Sequence, residues 1–320
     1  MVSEAISSAD SHDMGTAGLA GRHVLDISVI RALSHRSNVR GIVRFGSHLL
    51  LMGITGSLIW LAQPNWWLMI PAMALHGFFI VTMFAPMHEC VHRTAFENRT
   101  LNEIFGWIAG VLSFYNFTYY RHYHTWHHRY TQDAERDPEL MTPKPQSIWG
   151  YLLEISGITF WLFRPTLFLG LAVGRATRYL FVPADARWTI AVSAAAQLAI
   201  YLAGIVSIIM GYPYVWLYWF LPAILGQPLL RAILIAEHTG CSMGENGLTN
   251  TRTTLTNPLV RLVMWNMSFH TEHHLYPSIP FHQLPGAHQQ LRDKLRHLAP
   301  NYVAANRTVI QSLGTVPSEE

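Results

Sequence analysis

Charge is what this 320-residue sequence has least of. Asp, Glu, Lys and Arg make up 13% of it, against roughly 25% in an ordinary soluble domain. With 50% of residues hydrophobic, the deficit counts against a soluble enzyme and favours one membrane-embedded domain. Cysteine is nearly absent as well. Cys90 and Cys241 are too few and too far apart for a disulfide framework, and both read as reduced thiols in a reducing compartment. The net charge of +3 comes from 22 Lys and Arg scattered along the chain. They form no basic patch interleaved with aromatics, so nucleic acid is not an expected partner. No Gly-rich dinucleotide fingerprint, P-loop or G-x-S-x-G elbow occurs in a suitable context, and no repeat of 20–50 residues is evident. Electrons, where the chemistry needs them, must come from another protein.

Apolar runs are what the sequence has in quantity. Residues 45–62, 66–87, 188–210 and 214–236 are each apolar enough to cross a hydrocarbon core, which takes about 20 helical residues. Gln63, Pro64 and Asn65 turn the first pair, and Gly211, Tyr212 and Pro213 turn the second. Residues 1–22 carry Glu4, Asp10 and Asp13 without the basic start and apolar core of a signal peptide, and read as a mobile tail. Residues 23–44 mix apolar positions with Arg31, Arg36, Arg40 and Arg44, which suits a helix at the membrane surface. The stretches 101–120 and 147–170 are apolar but interrupted by Glu103, Glu154 and Arg164, so they read as interfacial or re-entrant. The membrane domain is expected over 23–299, with a C-terminal tail over 300–320.

Lys and Arg gather in cytoplasmic loops, and here the split is nearly total. Five precede the first span, ten lie between residues 88 and 187, six follow residue 237, and the two short turns contain none. Both termini and the central loop are therefore expected in the cytoplasm, which four crossings satisfy. Arg231 alone falls inside a span and would snorkel or find a polar partner. The sequons at Asn98, Asn116, Asn266 and Asn306 fall in cytoplasmic or interfacial segments, so none is expected to be glycosylated.

Histidine is the abundant residue that needs explaining, at 18. It is concentrated in HECVH (His88, His92), HTWHH (His124, His127, His128) and HTEHH (His270, His273, His274). Each cluster lies on the expected cytoplasmic side. Positions i, i+3 and i+4 share one face of a helix, so each cluster can aim two or three imidazoles at one point. Neutral imidazole is a ligand for Zn, Cu, Fe and Ni. A lone loop histidine is usually structural, but eight at this spacing point to metal. Since one zinc ion takes about four ligands, eight or more imply two ions. His238, just after the fourth span, is a candidate ninth.

Outer partners that fix the tautomer of a metal-bound His are expected among carboxylates nearby. Glu89, Glu237 and Glu272 each neighbour a candidate ligand, and Asp133, Asp137 and Glu139 follow the second cluster in TQDAERDPEL. A solvated loop is the alternative for all six. Asn266 would precede His270 by one helical turn and face the same way, or simply cap a helix. The remaining histidines lack this patterning and are assigned no metal role.

HECVH, HTWHH and NMSFHTEHHLYPSIPFHQLP, in that order over roughly residues 45–290, resemble the membrane fatty acid desaturase superfamily and its HxxxH, HxxHH, HxxHH pattern. The resemblance implies an all-α integral membrane fold, with four transmembrane helices in two hairpins, interfacial helices and a cytoplasmic histidine-rich di-metal cap. It also implies two non-haem iron ions, O₂ as co-substrate, and His88, His92, His124, His127, His128, His238, His270, His273 and His274 as ligands. Sequence chemistry alone does not name iron. No HPGG-bearing haem segment occurs in the sequence, so the implied donor is a separate ferredoxin, rubredoxin or cytochrome with its reductase. Arg121, Arg129 and Arg136 are candidates to receive an acidic carrier, or are plain solvated loop residues.

Lipid desaturation is the favoured reading. The same scaffold would also serve a hydroxylase, ketolase or oxidative decarboxylase, including one acting on a carotenoid or a small specialised substrate. From another class comes a non-catalytic metal-binding or metal-transport membrane protein, although transporters place ion sites near the bilayer midplane. A substrate tunnel is expected along Trp107, Phe114, Trp126 and Trp265, residues equally at home in simple packing.

Overall fold

A computed structural model describes residues 24–315; the expected tail over residues 1–22 lies outside them. After α1 (Ile27–Leu33), α2 (Asn38–Leu61) begins where Ser37 accepts a hydrogen bond from the Arg40 amide. The first span therefore starts at Asn38 rather than at residue 45, and the expected surface helix over 23–44 is divided between α1 and the head of α2. The arginines do not break α2 because they reach outward. Arg40 donates to His282 Nδ1 at 3.1 Å, and Arg44 donates to the Leu262 carbonyl at 3.0 Å and lies over the Phe281 ring.

α3 (Trp66–Val81) returns from an Asn65 cap and, past a break at Thr82, continues as α4 (Phe84–Val91). Together they make a span of Trp66–Val91. The Thr82 hydroxyl donates to the Phe78 carbonyl at 2.7 Å. α5 (Arg99–Leu112) and α6 (Phe117–Arg129) follow, opened by Asn98 and Asn116, each accepting from amides of its first turn. α7 (Ile148–Ile155) and α8 (Ile158–Ala172) form a pair bent by 57°, the segment expected to be interfacial or re-entrant. The bend turns on Gly157 at φ +73°, where a Cβ would stand 2.6 Å from the Gln227 side chain.

α9 (Arg187–Ile209) and α10 (Leu221–His238) make the second hairpin, as spans Ala184–Ile209 and Trp216–His238. The hairpins meet where α3 crosses α10. A Cβ on Gly77 would lie 1.7 Å from the Pro222 carbonyl oxygen, and one on Gly226 2.2 Å from the Gly77 carbonyl carbon. Only backbone fits at that crossing. The spans expose Leu50, Ile54, Leu202 and Val206. In water such faces would form a patch too large for a soluble monomer; in a bilayer they are the lipid-facing surface.

The remaining elements stand beyond one end of the spans. They are β1 (Arg252–Thr254), α11 (Pro258–Val263), α12 (His270–Leu275), α13 (Leu284–Leu291), β2 (His297–Ala299) and α14 (Tyr302–Gln311). β1 and β2 pair in parallel, Thr253 opposite Leu298. Residues 302–311 are thus part of the fold and not a tail. Asn306 donates to the Ala232 carbonyl on α10 at 2.9 Å, accepts from the Tyr151 hydroxyl, and Val309 is fully buried.

Candidate metal centre

Four elements converge at this end of the bundle. α4 brings His88 with His92 at its C-cap, α6 brings His124, His127 and His128, α10 ends on His238, and α12 carries His270, His273 and His274. Ring nitrogens of His88, His92, His124, His128 and His273 form one group, and those of His127, His238 and His274 a second, each within 4.8 Å. His270 joins the second through its Nε2, 3.1 Å from His238 Nε2. Other Nε2 pairs are as close: His124 to His128 at 2.9 Å, His128 to His273 at 3.2 Å, and His127 to His238 at 3.3 Å. Two donors about 2.1 Å from a shared ion, at roughly right angles, would have this separation.

The donor chemistry fits a metal. Both ring nitrogens of His88, Nε2 of His92 and Nε2 of His274 are buried without a hydrogen-bond partner among the described residues, a cost of about 1–3 kcal/mol each unless something else binds them. Burial, followed by the charge of neighbouring imidazoles, holds His124, His128, His273 and His274 well below the ordinary range and pushes His92 and His270 down to about 3. These rings are neutral at neutral pH, the form that ligates. His127 departs from this pattern. Burial would lower it, but Glu139 and Asp137 outweigh burial and its pKa is raised.

Outer nitrogens are anchored so that Nε2 faces inward. His127 Nδ1 donates to Asp137 Oδ1 at 2.8 Å, His238 Nδ1 to the Asn250 carbonyl at 3.2 Å, and His274 Nδ1 lies 3.2 Å from the Thr131 hydroxyl. Asp137 is itself positioned by the Gln132 amide at 2.8 Å. Of the three glutamates beside ligands, only Glu237 approaches one, with Oε2 3.5 Å from His270 Nε2. Glu89 accepts from the Phe281 amide at 2.9 Å, and Glu272 is held by Thr253 and His288, each at 2.5 Å. Glu272 thereby ties α12 to β1 and α13. Asp133 pairs with Arg136, while Glu139 stands 3.7 Å from His127 Nε2.

Asn266 corrects the expectation made for it. Trp265 and Asn266 both have positive φ, and α12 starts only at His270, so no helical turn joins Asn266 to that ligand. Its side chain instead accepts from Arg261 Nε at 3.1 Å and donates to the Phe281 carbonyl at 2.9 Å, closing the turn before α12.

A cavity of about 700 Å³ opens onto His88, His124, His238 and His270. Its walls include Phe84, Tyr115, Tyr120, Tyr123 and Phe160, with charged groups on α8 and α10. The expected tunnel residues do not line it. Trp107 donates to Ser193, Phe114 stacks on Tyr201, Trp126 donates to the Arg136 carbonyl, and Trp265 is buried against Phe281. The anchors Thr131 and Asn250 and the wall residue Tyr115 had no sequence signal, because their partners are remote in the chain.

The fatty acid desaturase family model matches residues 64–306, more than half of the chain. Two curated relatives are similar to it. The sn-1 oleoyl-lipid 12-desaturase of Picosynechococcus sp. is 30% identical over 121 residues, 36% of this chain and 35% of the relative's length. The dihydrorhizobitoxine desaturase of Bradyrhizobium elkanii is 27% identical over 269 residues, 74% of this chain and 70% of the relative. Four apolar spans, histidines gathered at their ends and a matching family model make this an integral membrane, desaturase-type oxidoreductase, and the chain belongs to the fatty acid desaturase family.

Proposed function

We propose that the chain is an O₂-dependent desaturase holding two non-haem irons on His88, His92, His124, His127, His128, His238, His270, His273 and His274. The observation that carries the reading is the pair of inward-facing imidazole groups opening onto one cavity. An unactivated C–H bond resists acid, base and nucleophile, and iron with O₂ would supply the oxidant it requires. The residues of this chain contribute position and enclosure. Asp137 keeps the His127 proton on Nδ1 so that Nε2 is free to ligate, and the tyrosine wall excludes water beside His88 and His124.

Removing two hydrogens from the substrate releases two electrons, and reducing O₂ to two waters takes four. The other two must come from a separate ferredoxin, rubredoxin or cytochrome with its reductase. The metal-bearing end is assigned to the cytoplasm of an inner membrane or reticulum-like membrane, because the lysines and arginines cluster there. One relative is named for an oleoyl lipid and the other for dihydrorhizobitoxine, so a lipid acyl chain leads and a smaller specialised molecule is the second reading.

The test is mass spectrometry of lipids and metabolites in cells expressing the wild type or His127→Ala, alongside metal analysis of both purified proteins. Variant-sensitive products lighter by two hydrogens, with iron in the wild type only, are the expected result. Products heavier by one oxygen would move the assignment to a hydroxylase or ketolase. Zinc without iron at full occupancy would overturn the reading.

A further inference from the structure

The cavity beside the metal centre is not the plain apolar slot that an acyl tail alone would need. Arg164, half-buried on α8, lies in its wall with its guanidinium carbon 4.1 Å from the Tyr115 ring centre and 4.2 Å from that of Phe160. Among the described residues it has no carboxylate partner, and the charged group that bears on it is Arg231, another cation. Of the other cations in the wall, Arg175 and Arg178 are exposed, and the two half-buried ones are answered. Arg231 donates to the Tyr115 hydroxyl and stands 3.8 Å from Glu154; Lys144 donates to Gln132 at 2.6 Å and lies in the field of Glu139. Glu237 Oε2 lies 3.5 Å from His270 Nε2, a neutral ring that brings no opposing charge. Among the described residues Arg164 is the half-buried wall cation left without a counter-charge, and it sits in an aromatic enclosure. Even a half-buried cation without a counter-charge loses part of its hydration, and stacking on two rings offsets only part of that cost.

The leftover charge stands close to the chemistry. The Tyr115 ring is 4.7 Å from Phe84, and Phe84 is 5.9 Å from the ligand His88, so one aromatic wall joins Arg164 to the metal centre. A planar guanidinium fork matches a carboxylate in two parallel hydrogen bonds. The wall carboxylates Glu154 and Glu139 also favour a monoanion over a phosphate dianion, which they would repel more strongly.

We infer that the substrate enters this cavity as a free carboxylic acid, its carboxylate held by Arg164 next to Tyr115, and not as a glycerolipid ester whose head group stays at the bilayer surface. The inference rests on the desaturase reading and names the substrate class of the same site. Arg164 sets which molecules are admitted and where along them oxidation falls, since the distance from the fork to the histidines is fixed by α8 packing.

Calorimetric titration of the iron-loaded full chain in lipid nanodiscs with octanoate, methyl octanoate and octyl phosphate tests it. Octanoate is expected to bind about tenfold or more tighter than its ester, a margin that truncating one side of a buried charge pair removes. Arg164→Gln should erase the difference while metal content and thermal unfolding stay at wild-type values. Arg164→Lys should retain part of it.

Equal binding of acid and ester, or no binding of any probe, overturns the proposal. So does an acid preference that survives Arg164→Gln and disappears in Arg175→Gln/Arg178→Gln, which would put the anion at the rim. Tighter binding of octyl phosphate than of octanoate overturns the carboxylate assignment. If cell profiling shows a His127-dependent product that is an esterified glycerolipid, the desaturase reading stands and this inference falls.

Discussion

In the proposed reading Asp137 would act on the metal centre without being a ligand itself. Its Oδ1 accepts a hydrogen bond from His127 Nδ1 at 2.8 Å, and its Oδ2 accepts from the Gln132 amide. Asp137→Asn keeps the shape and loses the charge that fixes the imidazole tautomer, so metal affinity should fall about 10–100-fold. Iron retained after equilibration against graded chelator measures this, with unchanged helical circular dichroism as the control. A second residue contributes to acid stability. Burial, then Arg40 and Arg44, push the His282 pKa down from 6.5 to about 4. Between those values the unfolded chain binds a proton there that the folded chain refuses, so stability present near neutral pH is lost as pH falls through that window. His282→Gln removes this contribution. The drop in unfolding temperature from about pH 7 to about pH 5 should be smaller in the variant than in the wild type, and an identical drop would rule the role out.

Between elements, the contact with least tolerance is the crossing of α3 and α10, where backbone meets backbone at Gly77 and Gly226. Gly77→Val has no flexible side chain to displace, only the Pro222 carbonyl. Forcing these helices apart should cost about 3 kcal/mol or more, at the upper end of overpacking. Because α10 ends on His238, the damage should reach the metal centre too; a lowered unfolding temperature and reduced iron content would be seen together. The spans themselves were legible because twenty apolar residues are a long and redundant signal, yet their ends were not. Arg40 and Arg44 look like the end of a surface helix until His282 and the Leu262 carbonyl are seen to receive them. The α14 helix looks like a tail in the sequence because its anchors, Ala232 and Tyr151, are far away in sequence. The histidine boxes were legible through their i, i+3, i+4 spacing. The helical spacing expected between Asn266 and His270 fails for the reason that makes spacing useful, since periodicity assumes a helix and two positive-φ residues precede this one. No local pattern could single out Arg164, whose significance lies in what α10 and α7 do not place opposite it.

At the scale of the whole molecule, one end of the bundle carries nearly all the chemistry and nearly all the cationic residues. The turns at 62–65 and 210–215 hold no Lys or Arg, whereas the nine histidines, β1, β2 and α14 all gather at the other end. This asymmetry is the basis of the proposed orientation, and that orientation would also decide what the enzyme can reach. A centre on the cytoplasmic side would meet reducing equivalents there, and the buried free thiols Cys90 and Cys241 suit the same compartment. An alkaline phosphatase reporter inserted at residue 64 or 212 should therefore be active, and one fused after residue 320 inactive, with a fluorescent-protein reporter giving the opposite pattern. The reverse result would place the histidine cap outside, away from any cytoplasmic ferredoxin, rubredoxin or cytochrome. It would overturn the proposed electron supply while leaving the ligand geometry intact, so the two halves of the functional reading are separable by experiment.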